Sequence, residues 1–170
     1  DETPLLLEGG TGVGKSATVT AAAKKCGQKL IRFNMSRTVT ADDLLLTVKL
    51  TKRGGITSTK QPFTKAFETG AWLLLDEINL AEEQVLQCIE EALDTGRLQL
   101  RDQTSESGHV INKHKNFRLF ATQNPNSGFF KGMRESMSQS FLSRFIPVSF
   151  QSLPLDELIK VVNEKLSKDA

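Results

Sequence analysis

The stretch Gly9-Gly10-Thr11-Gly12-Val13-Gly14-Lys15-Ser16 constrains this chain more than any other, because it fits G-x-x-x-x-G-K-[ST] and stands between two elements of defined kind. Before it, Leu5 to Leu7 is a short, wholly apolar run that stops at Glu8-Gly9-Gly10, the pattern of a strand buried on both faces and ended by a glycine turn. After it, Ser16 to Lys25 is rich in Ala and Thr and stops before Gly27, which caps a helix of about three turns. Strand, glycine loop and helix together make a phosphate cradle. Backbone N–H groups of residues 10 to 16 curl around phosphate oxygens, and the helix N-terminus adds the positive end of its dipole. Lys15 then reaches the outer phosphates and Ser16 ligates magnesium. A chance glycine-rich turn needs neither flank.

Further along, apolar runs and helical periodicities alternate. Leu30 to Asn34 reads as a second strand. Thr40 is expected to N-cap a helix with Asp43 at the capping-box position, running on through Leu44 to Leu50. Thr51 to Lys60 reads as a polar, basic, glycine-bearing loop. Phe63 to Glu68 suggests a short helix closed by Gly70, and Trp72 to Leu75 is a buried strand leading into Asp76-Glu77. Glu82 to Asp94 sets Val85, Cys88, Ile89, Ala92 and Leu93 at helical spacing, with Glu82, Glu83, Glu90 and Glu91 outside. Arg97 to Arg101 alternates, Gln103 to Gly108 is turn-like and Val110-Ile111 comes next, so a hairpin is expected there. Phe117 to Thr122 and Ile146 to Phe150 are further strands, the latter placed at a sheet edge by Pro147. Leu155, Leu158, Ile159, Val162 and Leu166 mark a last amphipathic helix after Pro154. The sum is α/β: a parallel sheet between helices.

The strand ending in Asp76-Glu77 delivers two carboxylates to its C-terminal edge, where open parallel sheets bind ligands. Standing alone, such a pair is usually a solvated turn. Sixty residues after the glycine loop, it divides labour: Asp76 holds the magnesium, through water, and Glu77 accepts a proton from the water that attacks the terminal phosphoryl group. Asn124, at the end of the next strand, has two readings. It is a turn residue before Pro125, or a neutral amide that hydrogen-bonds the attacking water or terminal phosphate without cancelling the charge of Lys15. Arg144, in Phe141-Leu142-Ser143-Arg144-Phe145, is either a solvated cation or the planar charge that a neighbouring site needs, with aromatics anchoring its backbone and leaving the guanidinium exposed.

Other classes recede. With 22 Lys and Arg against 20 Asp and Glu, the net charge of +2 signals neither a nucleic-acid nor an anionic-membrane partner, and no apolar run reaches the ~20 residues of a spanning helix. Cys26 and Cys88 are too far apart for a CxxC site, which suits a reducing compartment and inert or buried thiols. His109 and His114 lack carboxylate partners and are assigned no site. Arg97, Arg101, Lys113 and Lys115 read equally well as a solvated face or a nucleic-acid hairpin. Asn112-Lys113-His114-Lys115 lacks the Asp of a guanine-reading N-K-x-D, so ATP is preferred to GTP. Asp1-Glu2-Thr3-Pro4 has no positive n-region, so no signal peptide is expected, and the chain reads as part of something longer.

LLLEGGTGVGKS, WLLLDEINLA, FRLFATQNP and SFLSRF, in that order, resemble the AAA+ ATPases, in the group that holds MoxR chaperones, midasin and dynein-related modules. The resemblance covers roughly residues 4 to 165. It implies a P-loop NTPase three-layer sandwich with a five-stranded parallel sheet in the order 5-1-4-3-2, and a β-hairpin before the sensor 1 strand that points at a pore or partner. By the same resemblance residues 1–152 form the large α/β subdomain, and 153–170 begin the connection to a helical lid that carries a sensor 2 arginine. Asp76 and Glu77 take the Walker B roles, Asn124 is sensor 1, and Arg144 is the finger acting in trans, with Lys131 and Arg134 as alternatives.

The implied cofactors are ATP and Mg2+, and the implied partners are other AAA+ modules, as a homo-hexamer or in tandem in one chain. The client is a protein or ribonucleoprotein, in the cytoplasm or nucleus and not a membrane. Three rival functions remain: a nucleotide-binding structural module as in dynein-like rings, a small-molecule P-loop kinase and a GTP-dependent DNA translocase.

Overall fold

The computed structural model describes residues 2–100, 109–124 and 137–151, together with Glu157. Gln103 to Gly108, Lys131, Arg134 and the expected final helix from Leu155 to Leu166 lie outside the described residues or, at Glu157, touch them at one position.

Five strands form one parallel sheet: β1 (Leu5–Glu8), β2 (Leu30–Asn34), β5 (Trp72–Asp76), β8 (Arg118–Gln123) and β9 (Ile146–Ser149), ordered β2-β5-β8-β1-β9. Counted along these five core strands, that is the expected 5-1-4-3-2 read from the opposite edge. The sheet has an apolar layer on each face because its central strands carry consecutive apolar residues, Leu5 to Leu7, Trp72 to Leu75 and Leu119 to Ala121, that alternate between the two faces. Leu7 and Leu74 pack with Val19 of α1 (Lys15–Lys25) on one face. Leu6, Leu73, Leu75, Leu119 and Ala121 pack on the other face, with α3 (Pro62–Thr69) and α4 (Glu83–Thr95). Phe63, Phe67 and Phe117 build an aromatic cluster in that second layer, with the Phe67 and Phe117 rings 5.2 Å apart. These are the three layers of the expected sandwich.

Pro147 sits on β9, at the sheet edge, as the sequence predicts. Ile146 N–H donates to Pro4 O at 2.8 Å and Phe150 N–H to Glu8 O at 2.6 Å. Strand alternation therefore turns the nitrogen of Pro147, which has no hydrogen to donate, to the open side.

The expected helix through Leu50 is corrected. The capping box forms, with Asp43 N–H donating to Thr40 Oγ1 and Thr40 N–H to Asp43 Oδ2, but α2 (Ala41–Leu44) ends after one turn. Leu46–Leu50 is strand β3, antiparallel to β4 (Ile56–Lys60), so the second half of the expected loop is also a strand. Leu46, Val48 and Leu50 alternate with Thr47 and Lys49, a two-residue period with two β-branched members, and Thr51 to Gly55 closes the turn with Gly54 at φ 79°. The second hairpin is the one expected: β6 (Arg97–Leu100) pairs with β7 (His109–Asn112). A last short helix, α5 (Gln139–Leu142), is capped by Ser138 and leads into β9.

Candidate functional site

The glycine loop is held from behind and left open in front. A Cβ on Gly9 would come within 2.5 Å of Phe150 O, so the close approach of the loop to the end of β9 admits only glycine there. Gly14 caps α1 at φ 90° without a side-chain hydrogen bond, and α1 has no acidic residue in its first turn. Its orphan N–H groups and dipole end are therefore directed at the cleft with no internal anion to quench them. Thr11, Gly12, Gly14, Lys15 and Ser16 line a cleft of about 560 Å³, together with Arg32, Asn34, Asp76, Glu77, Thr122 and Asn124.

Inside the cleft the side chains form one connected network. Lys15 is only 8% exposed, and its Nζ donates to Gly9 O at 2.6 Å, Gly10 O at 2.7 Å and Asn124 Oδ1 at 2.8 Å. The amide of Asn124 donates in turn to Glu77 Oε1 at 3.2 Å. Asn124 thus links the loop lysine to the Glu77 carboxylate. Asp76, 6% exposed, accepts at Oδ1 from Ser16 Oγ at 2.5 Å and from Thr122 Oγ1 at 3.0 Å, while Arg32 Nε donates to Oδ2. Glu77 has φ 55° and ψ 47°, the only non-glycine residue with positive φ among those described. Its N–H donates to Thr122 Oγ1 at 3.1 Å, so this one hydroxyl fixes both acidic residues at the strand end.

Thr122 and Arg32 are the participants that motif reading missed. Both reach Asp76 from neighbouring strands, through pairings that no local pattern records.

Ser16 and Asp76 supply two hard oxygen donors, already within hydrogen-bond distance of each other, at the mouth of a helix N-terminus. That donor chemistry fits Mg2+, which takes one or two protein oxygens and completes its shell with water and phosphate. Among the described residues no group of three or more His, Cys, Asp or Glu could hold a metal ion.

Arg144 is not among the residues lining this cleft. Its guanidinium is not left exposed in solvent as anticipated: it donates to Asp94 through Nε at 2.7 Å and Nη2 at 2.6 Å, and pairs through Nη1 with Glu90 at 2.7 Å. The hydrogen bond from Arg144 holds the Asp94 carboxyl below the usual carboxylate range. His114, Cys88 and Cys26 are not among the residues lining this cleft either. His114 lies over Gly70 and accepts at Nδ1 from Asn116 N–H at 3.1 Å. Cys88 is half-buried, and desolvation pushes its thiol up, while Cys26 is exposed rather than buried.

A parallel sheet of this order, with a glycine loop opening α1 and an acidic strand end facing it, defines a P-loop NTPase fold. The family model described as AAA domain (dynein-related subfamily) matches residues 4–145, and the chain belongs to that family. It is 36% identical over 159 residues to midasin from Dictyostelium discoideum, a match covering 91% of this chain and 3% of that protein. To protein CbbQ from Hydrogenophilus thermoluteolus it is 31% identical, over 86% of this chain and 52% of the relative. The chain therefore spans a small part of midasin and about half of CbbQ. A crystal structure of a protein assigned as an ATPase, from Cytophaga hutchinsonii, superposes with a TM-score of 0.70 at 19% identity, over 95% of this chain and 46% of that one. At that identity the likeness concerns the fold.

Proposed function

We propose that the cleft binds ATP with Mg2+ and hydrolyses it, as the large α/β subdomain (residues 1–152) of an AAA+ module. The observation that carries this reading is the Lys15–Asn124–Glu77 chain beside the Ser16–Asp76 pair. One end binds phosphate, the other end takes a proton, and a neutral amide sits between them. The metal, when bound, neutralises phosphate charge and orients the terminal group. The N–H groups of the loop and α1 bind the phosphates, and Lys15 exchanges its carbonyl partners for phosphate oxygens. Asn124 positions the attacking water against Glu77, whose carboxylate takes its proton.

Arg144 belongs to the neighbouring module's reaction in this reading, whether the ring is a homo-hexamer or tandem modules of one chain. Residues 153–170, of which only Glu157 is described, are assigned in this reading to the connection toward a helical lid. The work driven is remodelling of a protein or ribonucleoprotein client, as midasin-like ribosome assembly or MoxR-like chaperone action, in the cytoplasm or nucleus. Among the described residues no helix is long and apolar enough to cross a membrane.

The test is Glu77→Gln in the lid-containing protein. Nucleotide retention should match the parent while phosphate release disappears. Phosphate release at the parental rate would remove Glu77 from its role, and a parent that retains nucleotide without turnover would favour the structural-module alternative.

A further inference from the structure

Arg32 lies on β2 in register with Leu74, two residues before Asn34, which is level with Asp76. From there its Nε reaches Asp76 Oδ2, the oxygen that Ser16 and Thr122 leave untouched. The two ends of this ion pair sit in different media: the Asp76 side chain is 8% exposed and that of Arg32 is 55% exposed. A carboxylate so buried calls for a counter-charge, and among the described residues Arg32 is a cation in contact with it. Lys15, the other cation in the cleft, is directed at loop carbonyls and Asn124.

We propose that Arg32 is a positioning residue that balances the charge of Asp76 while no divalent ion is present and yields that place when Mg2+ enters with nucleotide. The inference rests on reading the cleft as a Mg–nucleotide site. A guanidinium and a divalent cation on one carboxylate repel each other, so binding of the ion works against Arg32. Free Mg2+ is thereby held off, and the negative charge of the phosphates tips the balance. The exposure of Arg32 makes the exchange feasible, since its guanidinium can move into water with little desolvation to overcome, a movement closed to a buried lysine. Arg32 in this role sets the metal dependence of binding without touching the reacting atoms.

The experiment compares the parent with Arg32→Gln and Arg32→Lys, each with and without Asp76→Asn. Two quantities are read: the melting temperature in EDTA without nucleotide, and the Mg2+ concentration giving half-maximal binding of a fluorescent ATP analogue. Arg32→Gln should melt lower in EDTA and reach half-saturation at about threefold less Mg2+ or lower still, on the scale of a partly exposed ion pair. Arg32→Lys should stay near the parent in both, and in the Asp76→Asn background Arg32→Gln should not lower the melting temperature further. The proposal is overturned by an unchanged Mg2+ dependence, by a raised Mg2+ requirement, which would put Arg32 on the phosphates, or by equal destabilisation in both backgrounds. If the parent binds no analogue at any Mg2+ concentration, the nucleotide reading fails instead. The EDTA melting comparison across the Asp76→Asn background then still decides whether Arg32 balances Asp76.

Discussion

At the scale of single residues, Glu77 is the place where backbone and chemistry disagree. An L-residue in the left-handed region costs about 1–2 kcal/mol, and glycine escapes that cost. Glu77 holds φ 55° because Thr122 fixes its N–H and Asn124 its carboxylate. Replacing Glu77 with Gly removes the strain along with the side chain, and the two effects roughly offset the ~0.5–1 kcal/mol that glycine ordinarily costs. Glu77→Gly should therefore melt within about 2 °C of the parent although turnover is lost; a drop of many degrees would show that the side-chain bond outweighs the strain. The glycine loop and the Asp76-Glu77 pair are legible in the sequence because each is a contiguous run next to an apolar strand. Thr122 and Arg32 are not, since a threonine or arginine within a strand is unremarkable until strand order places it beside Asp76.

At the scale of elements, glycine caps sort into those that need only their backbone angle and those that also need the space. Gly70 and Gly96 end α3 and α4 with φ 78° and 64°. A Cβ at Gly96 meets nothing within 4 Å, whereas one at Gly70 would lie 2.2 Å from Nδ1 of His114, whose ring is held by Asn116. Gly96→Ala should cost about 1 kcal/mol, the conformational term alone, and Gly70→Ala about 2 kcal/mol or more, because His114 must also move. Urea midpoints of the two variants test the difference; equal losses would mean that the ring swings aside without cost. Elements with one strong period were legible at this scale, α4 above all. The β3–β4 hairpin was not, because a sound helix start at Thr40 masks the two-residue alternation that begins at Leu46. Local capping wins one turn, and cross-strand pairing with Ile56–Lys60 claims Leu46–Leu50 for the sheet.

At the scale of the whole molecule, the sheet order reflects the alternation of strands and helices with the glycine loop in the first connection, and it places Arg144 away from the cleft of its own chain. The residue bridges α5 to α4 through Glu90 and Asp94, the latter fifty residues away in sequence. Two roles predict different outcomes for Arg144→Ala in the assembled protein. A residue that completes a neighbouring site should lower phosphate release by about 10³-fold or more with nucleotide affinity unchanged. A residue that only ties α5 to α4 should lower the melting temperature modestly and leave turnover within about tenfold of the parent, since an ion pair to the half-exposed Asp94 contributes little on its own.

Pro147 has a consequence for crowding. The rim formed by Ile146 and Val148 is greasy and partly bare, at 42% and 36% exposure, and an uninterrupted row of donors there would invite another strand to zip on. A missing hydrogen in the middle of that row breaks the ladder at its most tempting rung. Molecules of this kind can thus stand flank to flank at high density without fusing their sheets into a common ribbon.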